Sequence, residues 1–289
     1  MGKEFYDASP EAEAVFNDAD GMISGLKDCI FDGPLEKLTS TSFCQPAIFT
    51  FSYAALRAFQ AHSKYQNISV EFSCGLSLGE YCALAASNAF SFIDALKLVE
   101  RRSSLMEEAA QRKKGAMAAV IGFDKDELLK ICEKTQVQVA NFNSPEQIVI
   151  TGEAEKVAKA SQMIKEQGAK RVIPLDVSGA FHSRLMEPAV APFEDYLKSV
   201  SINKPDFPIL SNVDAFPESD PQKIRQNLAK QITSPVQWVD SINCMVKAGV
   251  THFIEIGPGT VLKGLIRKIN RELSVYNIQK PADIEILPL

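Results

Sequence analysis

A serine set between two glycines, Gly75-Leu76-Ser77-Leu78-Gly79, separates a short apolar run (Ser69 to Cys74) from a stretch rich in helix formers (Glu80 to Ser87). Strand, tight turn and helix in that order describe a nucleophile elbow, which confines the chain to an α/β arrangement with the serine at a strand end. Glycines suit the turn because flanking side chains would meet neighbouring backbone. Ser77 then stands at a helix N-terminus, where the Leu78 amide can face an oxyanion and the helix dipole favours negative charge. The competing structural explanation is a glycine-bounded turn with a buried or capping serine.

The 289 residues carry 46% hydrophobic side chains and a net charge of -5, as expected of a globular chain of one large or two smaller domains. That charge argues against a general nucleic-acid role, and no uninterrupted apolar run reaches membrane-span length. The six cysteines are scattered without a C-x-x-C pair or a histidine at metal-ligand spacing. Reduced thiols in a cytoplasmic setting, and no metal, are the expectation.

From Gly115 to Val177 the pattern reads strand (Ala116 to Gly122), helix (Asp124 to Lys134), strand (Val137 to Phe142), strand (Gln147 to Thr151), helix (Glu153 to Gln167), strand (Arg171 to Val177). This βαββαβ order predicts a ferredoxin-like subdomain over 114–179, with Asn143-Ser144-Pro145-Glu146 as its hairpin turn and Gly168 ending its second helix. It interrupts a hydrolase-like, parallel-sheet α/β domain made of 1–113 and 180–289, and the cleft between the two parts is the expected active site.

A serine nucleophile needs a base, and the chain has three histidines. His62 follows an apolar helical run and reads as a solvated helix end. His252 lies in a strand running into Gly257-Pro258-Gly259, where alternation explains it. His182 sits in the small-residue loop Val177 to Ser183, where the two parts should meet, and is the strongest choice. No acid stands in a hydrolase-like place to orient it. The helix Pro221 to Gln231 is stopped by Ser234-Pro235, and its last carbonyls lack intrahelical partners, so Gln231 is available to accept the imidazole proton.

Ser91 and Asp94 begin a helix whose stripe carries Ala95, Val99, Arg102 and Met106. An arginine facing a core is costly unless it finds an anion, and a carboxylate suits its fork. An internal ion pair or a snorkelling side chain would also explain it.

The elbow with Glu80-Tyr81, the Arg102 helix, the His182 loop and Ile254-Glu255-Ile256-Gly257-Pro258-Gly259 together resemble malonyl-CoA:acyl carrier protein transacylases. Further matches are Cys44-Gln45-Pro46-Ala47, Asn141-Phe142-Asn143-Ser144-Pro145, Ser211-Asn212-Val213-Asp214 and Ser234-Pro235-Val236-Gln237-Trp238. The resemblance covers nearly the whole chain in order. It implies transfer of malonyl from malonyl-CoA, through an acyl-serine, to the phosphopantetheine thiol of acyl carrier protein, by a monomer without a resident cofactor. It makes Ser77 the nucleophile, His182 the base, Gln231 its orienting carbonyl and Leu78 an oxyanion donor. Arg102 with Gln45 would hold the malonyl carboxylate, Phe181 would exclude a branched acyl group, and Met106 and Asn143 complete the substrate-binding set.

Leu76 stands where the family usually has histidine, an expected packing change. The resemblance also places Met1-Gly2-Lys3-Glu4-Phe5-Tyr6 just after the family's first strand and its Gly-Gln-Gly-x-Gln loop. A truncated start without the second oxyanion amide is therefore the expectation. A serine thioesterase would share the elbow and histidine but not the Arg102 helix. A catalytically silent binding module is the remaining alternative.

Overall fold

Two 21-residue helices, Thr41–Ala61 and Phe92–Arg112, pack against each other at the centre of the computed structural model, which describes residues 1–288. Their apolar faces join the largest hydrophobic cluster, with Phe5, Phe16, Phe49, Phe51 and Phe59 among its fully buried side chains. Burying each such ring contributes roughly 1.5–3 kcal/mol. Ser91 starts the second helix by accepting the Asp94 N–H at 3.1 Å, and Ala95, Val99, Arg102 and Met106 are all buried along one stripe. Among the described residues no helix is long and apolar enough to cross a membrane.

The fold is mixed α/β, with many helices and small sheets. Strands β1 (Gly115–Ile121), β2 (Gln138–Ser144), β3 (Gln147–Glu153) and β4 (Arg171–Pro174) form one antiparallel sheet in the order β2-β3-β1-β4. Helices Lys125–Thr135 and Ala154–Glu166 cover one face, enclosing a cluster built from Val120, Leu128, Ile131, Ile150, Val157 and Ile164. The opposite face brings Met117, Ala119, Ala140 and Val149 against Leu175 and Phe181.

Two local expectations change here and a third holds. The hairpin is tighter than the four residues anticipated, because Asn143 and Ser144 stay in β2 and only Pro145-Glu146 turn. β4 stops at Pro174 rather than Val177: Leu175 N–H makes one more bond, to the Met117 carbonyl, and Val177 N–H then turns back to the Leu175 carbonyl. Gly168 does sit just past its helix, at φ 99.

The other strands are short. β5 (Ile209–Leu210) pairs with β6 (Pro217–Glu218), and β7 (His252–Ile256) runs parallel to β8 (Ser274–Ile278). The Ser69 to Cys74 run was expected to be a strand of a parallel sheet, but it makes only the parallel bridge Ser73–Ile209. Its bonds there are Ser73 N–H to the Pro208 carbonyl and Leu210 N–H to the Ser73 carbonyl. Pro208 has no N–H to continue that ladder.

The chain enters and leaves the four-stranded segment through adjacent crossings. A Cβ on Gly115 would lie 2.5 Å from the Ala180 nitrogen, so glycine lets the two connections touch. The returning connection leads into the His182 loop. Thr151 Oγ1 on β3 donates to the Phe181 carbonyl at 2.9 Å, and Arg184 N–H to Gln138 Oε1 on β2 at 2.8 Å. The four-stranded segment thereby positions the histidine.

Candidate active site

Ser77 adopts φ 53 and ψ -101, the left-handed strain of an elbow, immediately before the helix Leu78–Ala86. Gly75 is what permits it: a Cβ there would lie 2.1 Å from the Gly79 carbonyl group. The collision argument holds for Gly75 alone, since a Cβ on Gly79 would meet nothing within 4 Å. Leu76 packs beside the cluster around Trp238 and Val236, an apolar setting.

Ser77 Oγ lies 2.8 Å from His182 Nε2. The other ring nitrogen, Nδ1, is 2.9 Å from the Gln231 carbonyl and 3.1 Å from that of Ser234. Carbonyls only accept, so Nδ1 carries the proton of the neutral ring and Nε2 offers its lone pair to the serine. Gln231 is the last residue of the helix Pro221–Gln231, where carbonyls run out of intrahelical partners. Ser234 shares that proton, an acceptor the sequence did not reveal, although Ser234-Pro235 marked the helix end.

Burial, with the Arg102 charge adding to it, lowers the His182 pKa to about 4. The ring is therefore a free base at neutral pH. By linkage, a depressed histidine pKa costs folding stability as pH falls from 6.5 toward 4, because the unfolded chain takes up the proton first. An NMR titration should accordingly show His182 unprotonated down to about pH 5. A midpoint near the ordinary 6.5 would mean a solvated, uncoupled ring.

Arg102 is 1% exposed and faces the nucleophile. Its Nη2 donates to Ser77 Oγ at 2.8 Å and to Gln231 Oε1 at 2.9 Å, and its Nη1 to Gln45 Oε1 at 2.5 Å. All three acceptors are uncharged. Beneath it, Tyr81 presents its ring 5.3 Å from the guanidinium carbon.

Glu80, Asn212 and Gln231 form a buried layer under the elbow. Glu80 Oε2 accepts Gln231 Nε2 at 2.6 Å and Asn212 N–H at 3.3 Å. Burial raises the Glu80 pKa to about 7, against the opposing pull of those two donors and of Arg102. Asn212 Oδ1 accepts Ser77 N–H at 2.6 Å while its Nδ2 donates to the Gly75 carbonyl at 2.7 Å.

Ser77, His182, Gln231, Arg102 and Gln45 thus meet at one point, with the Leu78 amide opening the helix beside them. Phe181 is adjacent to the histidine and half-buried. Met106 packs in the main core about one turn from Arg102. Asn143 lies near the end of β2, its Oδ1 buried without a partner, and makes no bond to this group. His62 caps the helix Thr41–Ala61 and lies 3.2 Å from Glu285, while His252 stacks on Tyr276. Neither reaches the serine. The nearby thiols of Cys74 and Cys82 are pushed up to about 12 by burial, which removes them as competing nucleophiles.

Residues 1–287 match the family described as acyl transferase domain. The chain is 44% identical over 292 residues to the malonyl CoA-acyl carrier protein transacylase of Bacillus subtilis (strain 168), covering 99% of this chain and 91% of that protein. The chain belongs to the malonyl-CoA:acyl carrier protein transacylase family. Among solved structures of such transacylases, acyl-carrier-protein-S-malonyltransferase from Bartonella henselae superposes with a TM-score of 0.93 at 38% identity, over 99% of this chain and 92% of that one. A malonyl-transacylase solved in complex with a type II polyketide acyl-carrier protein superposes with a TM-score of 0.94 at 35% identity, over 99% and 93% of the two chains.

Proposed function

We propose that this protein transfers malonyl groups from malonyl-CoA to the phosphopantetheine thiol of an acyl carrier protein through a malonyl-Ser77 intermediate. The observation that carries the reading is a buried guanidinium with only neutral partners, directly on the oxygen of a serine bonded to a free-base histidine. A substrate carboxylate supplies the missing anion, and its attachment to Arg102 directs the rest of the acyl group toward Ser77 Oγ.

In the first half-reaction, Ser77 Oγ attacks the thioester carbon while its proton passes to His182 Nε2. The Gln231 and Ser234 carbonyls stabilise the resulting imidazolium through Nδ1–H. The Leu78 amide, at a helix N-terminus, faces the tetrahedral oxyanion. The carbon–sulfur bond then breaks and His182 returns the proton to the departing CoA sulfur. In the second half, the phosphopantetheine thiol gives its proton to His182 and its sulfur attacks the malonyl-serine. The carbon–oxygen bond breaks and Ser77 regains the proton.

We further read 114–179 as a ferredoxin-like subdomain inserted between 1–113 and 180–289 of a hydrolase-like acyltransferase domain. The β2-β3-β1-β4 order, the two helices on one face and a separate hydrophobic cluster support this reading. Gln45, Arg102 and Phe181 are assigned to the acyl group, Met106 to the floor beneath Arg102, and Asn143 to the cleft side of the subdomain. A cytoplasmic enzyme without a resident cofactor fits this chemistry, and all six cysteines are free.

The test is incubation of the chain with malonyl-CoA, followed by intact mass with and without carrier protein. A malonyl adduct that passes to the carrier is the expected result. Release of free malonate at the same rate without carrier would make the protein a hydrolase instead.

A further inference from the structure

Ser77 and Glu80 carry the spacing of a capping box, S-x-x-E at the start of a helix, in which the glutamate normally turns back to the N-cap amide. Here that arrangement is given up. The Ser77 side chain makes no cap bond, the Ser77 N–H goes to Asn212 Oδ1, and Glu80 turns inward to 1% exposure. A carboxyl group withdrawn from water and from the helix end has been assigned to something else.

We propose that Glu80 is a positioning residue that holds the Arg102 guanidinium and the Ser77 elbow in one register, through the side chain of Gln231 and the backbone of Asn212. This deepens the acyl-transfer reading of the site and rests on it. The two ends of the Gln231 amide are chemically distinct, and its Nε2 has two hydrogens. One goes to the Ser77 carbonyl at 3.0 Å and the other to Glu80 Oε2 at 2.6 Å, which leaves Oε1 pointing at Arg102. A flipped amide would set NH2 against the guanidinium, and Glu80, which accepts at this oxygen, opposes the flip. The second arm reaches the nucleophile: Glu80 receives the Asn212 N–H, and the Asn212 side chain grips the backbone on either side of Leu76, at Gly75 and Ser77. Selection of the acyl group and placement of the nucleophile therefore share one buried anchor, which is 1% exposed.

Single-turnover acylation of Ser77 by malonyl-CoA and, separately, acetyl-CoA tests this in the full chain and in variants whose folding is checked by thermal unfolding. Glu80→Gln keeps an acceptor oxygen for both N–H groups and is expected to retain the wild-type preference for malonyl. Glu80→Ala should slow both reactions and cut the malonyl-over-acetyl preference about 10- to 100-fold, the effect of leaving buried donors unpaired. In an Arg102→Ala background the same change should leave the remaining preference unmoved, because the guanidinium is the transmitter. If Glu80→Ala does not fold, Gln231→Met removes the relay while keeping the carbonyl against His182, and should lower the preference in its place. Equal slowing of both substrates by Glu80→Ala, an unchanged preference in Gln231→Met, or a Glu80→Gln variant as impaired as Glu80→Ala would overturn the assignment. A wild-type chain that takes no malonyl on Ser77 would overturn the functional reading, and this assignment with it.

Discussion

Replacing Ser77 by alanine is expected to abolish the malonyl adduct and to lower transfer to the carrier by about 10⁶-fold, the scale on which a catalytic nucleophile matters. The reason is that no other group in the site can replace Oγ. His182 Nε2 is the base that the serine proton needs, Arg102 is a cation, and the thiols of Cys74 and Cys82 are held protonated, with pKa values of about 12. Alanine keeps the Cβ that already tolerates φ 53, and the three backbone bonds of residue 77, to Asn212 and from Gln231 and the Glu80 N–H, survive the change. The fold should therefore persist while the chemistry stops, which thermal unfolding and intact mass together will show. An adduct of malonyl mass persisting in Ser77→Ala, mapped to another side chain, would remove Ser77 from the mechanism.

Much of this site is legible in the sequence because its parts sit at helix boundaries or, for Arg102, on the stripe of one long helix. The elbow is written in Gly75 and Ser77, the Arg102 position in helical spacing from Ala95, and the Gln231 carbonyl in the Pro221 to Pro235 punctuation. Each of these depends on local geometry, which spacing reports. Glu80 and Asn212 were not readable in the same way. An acid at the third position of a helix ordinarily serves the dipole or a cap, and only tertiary packing turns Glu80 inward. Ser234 became a second acceptor for His182 because the chain turns just after its helix, a consequence of folding that residue types do not specify.

The sheets divide along the same line. Alternation between Gly115 and Pro174 identified four strands to within a few residues, and each of them pairs over several residues with a partner inside that same segment. The run before the elbow looked equally strand-like, but a ladder depends on the lateral neighbour. That neighbour begins with Pro208 and bonds only at Ser73. Strand character is thus a property of the pair, whereas helix character belongs to the segment.

Arg102→Ala should separate selection from chemistry. A charge-assisted hydrogen bond is worth about 1.5–3 kcal/mol, so losing the fork should slow malonyl acylation about 10- to 150-fold beyond its effect on acetyl. The comparison must be a ratio. Truncating Arg102 also deprives Gln45 Oε1, Gln231 Oε1 and Ser77 Oγ of a donor, which penalises every acyl group alike. Only the substrate carboxylate distinguishes the two reactions. Arg102→Lys sharpens the test, because it keeps the charge but cannot reach three acceptors with a planar fork, and should fall between wild type and alanine on malonyl. Single-turnover rates on both thioesters decide it. If alanine slows acetyl and malonyl by the same factor, the guanidinium merely braces Ser77 and Gln231, and selection for the carboxylate lies elsewhere in the cleft.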